Sequence, residues 1–148
     1  MIAMIITNLV WVAYSILEGL REGFYWHFKG GSRPSLSSKD CKFEIHPVFA
    51  LQRGIVLLII GGLLYYTIGL YSIVSVLSMM LIFSFFHNGT YYSTRNKLDS
   101  MIYPLKWKDQ STTSTAKMTK IMTYKNRTLF MILGVIAQVF IYIFLIQK

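Results

Sequence analysis

Residues 54–94 form a run of 41 without one Asp, Glu, Lys or Arg. An ordinary soluble domain is about a quarter charged, so a run of that length has few places to go in water. A bilayer's hydrocarbon core is crossed by about 20 apolar helical residues. The run is therefore long enough for two crossings and a tight turn. Two further uncharged stretches, 1–17 and 128–147, flank it at either end of the 148-residue chain. Together they predict an all-α polytopic membrane protein, an antiparallel bundle of four transmembrane helices in a single domain spanning 1–148.

The punctuation places the helices at about 2–25, 47–66, 70–101 and 112–147. Tyr66-Thr67-Ile68-Gly69 supplies the turn inside the long run, because glycine takes the positive φ that a tight reversal needs. Pro47 suits the first turn of helix 2, where its missing N–H is no loss. Tyr103-Pro104 is expected to end the extension of helix 3, and Ser111–Thr115 offer N-caps for helix 4. The connectors are then 26–46 and 102–111. The N-terminal stretch lacks a basic leader and a polar cleavage region, and is expected to be retained as a span.

Charge predicts orientation. Residues 18–53 hold six basic and four acidic side chains, and residues 95–127 hold eight basic and two acidic. Four crossings put both segments on one side, with the termini and the helix 2–3 turn on the other. The positive-inside rule makes the basic loops cytoplasmic and both termini external. The formal net charge of +9 then reads as affinity for anionic lipid headgroups. Segment 95–127 interleaves Tyr103, Trp107 and Tyr124 with its cations, but is read as a solvated face beside the membrane and not as a nucleic-acid surface. Cys41 is the single cysteine, so no intrachain disulfide forms.

Polar residues at mid-span are few. Asn8 and Gln138, near mid-span of helices 1 and 4, are expected to hydrogen-bond between helices, and no ionisable group lies at that depth, which argues against coupled transport. The chain has no Gly-x-Ser-x-Gly elbow, no phosphate-binding loop and no histidine pairs at the spacing that membrane desaturases use.

The informative residues gather at the cytoplasmic ends of three helices. Tyr14, Glu18, Glu22 and Tyr25 fall on one face of helix 1 with Arg21 beside them; Arg53 lies two turns beyond His46 on helix 2; His87, Tyr91 and Arg95 follow one another at four-residue spacing on helix 3. Three chemistries fit this polar cluster of Glu18, Arg21, Glu22, Arg53, His87, Tyr91 and Arg95. The first is mutual neutralisation, because an unpaired ion at membrane depth is costly. The second is a metal site, with Glu18, Glu22, His46 and His87 as donors suited to zinc, iron or manganese. The third is a lipid-phosphate site built on the arginines. The leading expectation is a non-catalytic membrane scaffold or accessory subunit needing no cofactor, its basic loops binding a protein partner, a second copy or anionic lipid. The alternative is a small metal-dependent enzyme acting on a lipid-like substrate at the cytoplasmic leaflet. Gly19 and Gly23 add a Gly-x-x-x-Gly pair that lets a second helix approach closely beside the glutamates.

Overall fold

The computed structural model describes residues 2–27, 45–109 and 122–147. Among them are four long helices and no strand: α1 (Ile2–Trp26), α2 (Ile45–Ile68), α3 (Tyr71–Leu98) and α4 (Tyr124–Ile146), with one short 3-10 turn at Trp107–Asp109. Each long helix has the length and apolarity needed to cross a membrane, which marks the chain as an integral membrane protein. The exposed side chains agree: Leu58, Leu63 and Tyr66 of α2 are 77%, 60% and 92% accessible, an outward face that only a lipid solvent would tolerate along a whole helix.

α3 is the centre of the bundle. α1 and α4 pack along it on either side and scarcely touch each other, while α2 rests more lightly against α3 and α1. The reason lies in small side chains. Ser72, Ser75 and Ser78 of α3 are buried, and Gly134 of α4 sits so close that an added Cβ would come within 2.7 Å of the Ser78 carbonyl. In lipid there is no hydrophobic drive between helices, so close backbone packing of this kind replaces it. Trp11 of α1 is fully buried and donates its indole N–H to the Met79 carbonyl at 2.7 Å, tying α1 to mid-α3. Around that bond lies the core of Met4, Ile60, Leu64, Ile68 and Ile141.

The 2–3 turn falls where the glycine predicts it. Gly69 has φ +58°, and its N–H bonds to the Tyr65 carbonyl at 2.9 Å. α2 is two residues longer at each end than the 47–66 read from sequence. Two other boundaries need correction. α3 stops at Leu98 and not at 101, because Asp99 turns extended (φ −155°) and its carboxylate accepts from the N–H groups of Met101 and Ile102 at 3.1 and 3.0 Å. A local side-chain acceptor thus competes with the helix before Pro104 is reached. α4 starts at Tyr124 and not at 112: Thr123 is extended (ψ 162°) and its hydroxyl caps the Asn126 N–H at 3.3 Å. The caps proposed at Ser111–Thr115 lie outside the described residues.

Candidate functional site

One end of the bundle carries the polar groups; it is the end where α1 and α3 finish and α2 and α4 begin. Glu18 and Glu22 sit one helical turn apart on α1 and both are buried. Arg53 reaches them from α2. Its Nε donates to Glu18 Oε1 at 2.9 Å and its Nη2 to Glu22 Oε1 at 2.6 Å. His87 enters from α3, with Nε2 3.4 Å from Glu22 Oε1 and 3.2 Å from Arg53 Nη2. Three helices therefore meet in one ionic nest.

The guanidinium is always a donor, which constrains the imidazole. If His87 Nε2 carries a proton, it and Arg53 Nη2 converge as two donors on Glu22 Oε1. A bare Nε2 would instead accept from Arg53 and face the carboxylate with a lone pair.

Beneath the ions lies an aromatic floor that sequence reasoning missed. The Arg53 guanidinium stands 4.9 Å from the Phe83 ring centroid, Phe83 stacks on His87 at 4.9 Å, and Trp11 lies 5.4 Å from Phe83 and 5.3 Å from Tyr14. Aromatic faces are partial anions and hold a cation even where water is scarce. A signal was available, since Phe83 lies one turn before His87 on the same face.

The other sequence-derived residues occupy the margins. Arg21 is half exposed, 3.6 Å from Glu18 Oε1, and donates to Gln52 Oε1 at 3.2 Å while lying over the Phe49 ring. Tyr91 and Arg95 form an adjoining pair on α3: the guanidinium donates to the Tyr91 hydroxyl and stacks 3.6 Å from the Tyr103 centroid. The side chain of His46 lies outside the described residues, so the metal donors that meet are Glu18, Glu22 and His87, whose ligand atoms all fall within 4.8 Å of one another. Glu18 Oε2 is buried and takes no hydrogen bond. Arg53, however, occupies Oε1 of both carboxylates.

The second helix that Gly19 and Gly23 admit is α3: a Cβ on Gly23 would lie 2.9 Å from Thr94 Cβ, and one on Gly19 would strike the His87 backbone. Their absence of side chain is what lets His87 reach the glutamates.

Deeper in the bundle Asn8 and Gln138 bond between helices as expected, and their partner is each other, Asn8 Nδ2 donating to Gln138 Oε1 at 3.0 Å. Gln138 is further held by Ser75, whose hydroxyl donates to Oε1 at 3.1 Å and whose carbonyl accepts from Nε2 at 2.9 Å, and by the Ser78 hydroxyl. Arg127 is a buried cation that sequence reading left in the loop charge; it donates to Met122 O at 2.7 Å and Ser84 Oγ at 2.8 Å. Like Arg53, it is the last charge before an apolar run.

No protein-family model, curated protein or solved structure matches this chain. Fold and site together define its class: a small four-helix membrane protein that carries an ionic nest at one end of the bundle.

Proposed function

We propose that this protein is a non-catalytic membrane scaffold or accessory subunit, oriented with both termini outside and both basic connectors in the cytoplasm, where they bind anionic lipid headgroups or a protein partner. The observation that supports it is the occupation of Glu18 and Glu22 by Arg53 at 2.9 and 2.6 Å. A carboxylate pair already hydrogen-bonded to one guanidinium is a tie between helices, and the oxygens so held are not poised as an acid, a base or a ligand. Segment 95–127, with its excess of cations, meets headgroups in this reading and not nucleic acid.

A second reading has its own observation. The donor atoms of Glu18, Glu22 and His87 converge within 4.8 Å, and Glu18 Oε2 has no hydrogen bond. Two carboxylates and an imidazole suit zinc, iron or manganese, and three protein ligands with an open position describe a catalytic metal. For this, Arg53 must swing away and become a contact for the phosphate of a lipid-like substrate. Elemental analysis of the purified protein decides between them. The scaffold reading expects less than a tenth of an equivalent of any of the three metals, unchanged in Glu22→Gln; one equivalent, lost in Glu22→Gln, overturns it.

A further inference from the structure

A seam runs along the outer side of α1 with α3 as its floor; its far wall is Trp107 at the polar end and α4 in the inner stretch. It contains two cavities that share Phe86 as a common wall. The one at the polar end measures about 490 Å³ and is lined by Ile16, Leu20 and Phe24 of α1, by α3 and by Trp107. The other, about 420 Å³, continues along Ile5, Leu9 and Val12 of α1 against Val135 and Val139 of α4. The α1 residues form one stripe at three- and four-residue spacing. From Ile5 to Phe24 that stripe is roughly 29 Å long, the thickness of a hydrocarbon core.

The two ends of this seam differ chemically. The inner stretch is apolar apart from Tyr142 and the amides of Asn8 and Gln138, which bond to each other. At its mouth stand Ser93, Thr94 and Lys97 of α3, with the Trp107 ring across from them. Lys97 is exposed and makes no ion pair among the described residues. Its neighbour Trp107 is drawn in over Gly89, where its indole would collide with any Cβ, and packs edge-on against Phe85 at 5.7 Å. A cation, two hydroxyls and an indole at the end of a long apolar trough match a molecule with one anionic, oxygen-rich end and an unbranched apolar body.

We infer that this seam along α1 and α3 binds one anionic phospholipid, its phosphate at Lys97, Ser93 and Thr94 and one acyl chain laid along Ile16, Leu20 and Phe24 past Phe86. The inference deepens the anionic-lipid part of the reading above, moving it from the basic connectors to a defined groove. It does not depend on which side of the membrane the mouth faces, because a nanodisc offers the same lipid on both sides.

The experiment is native mass spectrometry of the protein released from nanodiscs of equal phosphatidylglycerol and phosphatidylcholine, which have similar chains and differ in headgroup charge. One retained lipid per chain is expected, enriched in phosphatidylglycerol by about fivefold, the increment that one interfacial lysine supplies. Lys97→Gln should keep the retained lipid and lose the enrichment. Leu20→Trp fills the trough and should lose the lipid of either kind, with Ile16→Phe as a milder block should Leu20→Trp fail to fold. Equal retention of both lipids by the wild type, enrichment that survives Lys97→Gln, or retention that survives both blocks each overturns the seam site. A second copy of the chain in place of lipid would reassign the seam to a dimer and overturn it equally. None of these results changes the metal content, so failure here is separable from failure of the scaffold reading.

Discussion

Arg53 does more for this protein than its exposure suggests. Its side chain is 27% accessible, yet it touches the carboxylates of Glu18 and Glu22, which are nearly sealed from solvent. Removing the cation strands two charges where water cannot reach them; removing Glu18 strands only part of one. Breaking a buried pair from one side costs about 3–5 kcal/mol, and the partial exposure of Arg53 puts this case at the lower end. By contrast the Asn8–Gln138 bond involves neutral amides, and an interhelical hydrogen bond in lipid averages only about 0.6 kcal/mol. The nest therefore dominates the polar contribution to helix association. In a double-mutant cycle of Glu18→Gln and Arg53→Gln, followed by thermal unfolding in nanodiscs, the pair should lose less than the sum of the singles, by about 1–3 kcal/mol. Additive losses would show that the two side chains do not pair in the membrane.

At the scale of the element, α3 decides the architecture because its neighbours can come close to it. Gly19 and Gly23 bring α1 in, Gly134 brings α4 in, and the serines of α3 offer little bulk in return. Gly23→Ala puts a methyl 2.9 Å from Thr94 Cβ, and backbone movement to relieve such overpacking costs about 1–3 kcal/mol. Because the same movement withdraws Glu22 from His87, the loss should exceed that of overpacking alone. Gly62→Ala is the control: nothing lies within 4 Å of the new Cβ, and the helix gains up to about 1 kcal/mol from reduced backbone freedom. Denaturation in mild detergent should thus rank Gly62→Ala at or above wild type and Gly23→Ala well below it. The reverse ranking would mean that α1 and α3 do not meet at this seam. Gly69 belongs to the same argument: its φ of +58° is left-handed, so Gly69→Ala should cost about 1–2 kcal/mol in the same assay.

At the scale of the whole molecule, the four spans and the uneven charge make orientation testable. Segments 18–53 and 95–127 together carry a net +8, and the turn between α2 and α3 carries none. With Cys41 replaced by serine, Ser35→Cys and Ser114→Cys should both resist a membrane-impermeant thiol reagent in intact cells and react after permeabilisation. Rapid labelling of either from outside would invert the proposed topology and move the ionic nest to the opposite leaflet.

What the sequence determined by itself follows from composition and from distance along the chain. Uncharged runs of known length specify how many times the chain can cross a membrane, and a glycine in the middle of the 41-residue run marks the reversal, because these depend on solvation and on local backbone freedom. The polar stripes on α1 and α3 were legible for the same reason, since helical spacing alone puts Glu18 with Glu22 and His87 with Tyr91 on common faces. The ends of α3 and α4 were not, because Asp99 and Thr123 compete locally with stronger-looking signals nearby. Only the tertiary structure decided which helix each face meets. It set Arg53 between both glutamates, turned the glycines toward His87 and left a trough along α1 walled by Trp107 at one end and α4 at the other. Those outcomes depend on how closely helices from distant parts of the chain can approach, and that is fixed by the fit of side-chain volumes, a property of no single segment.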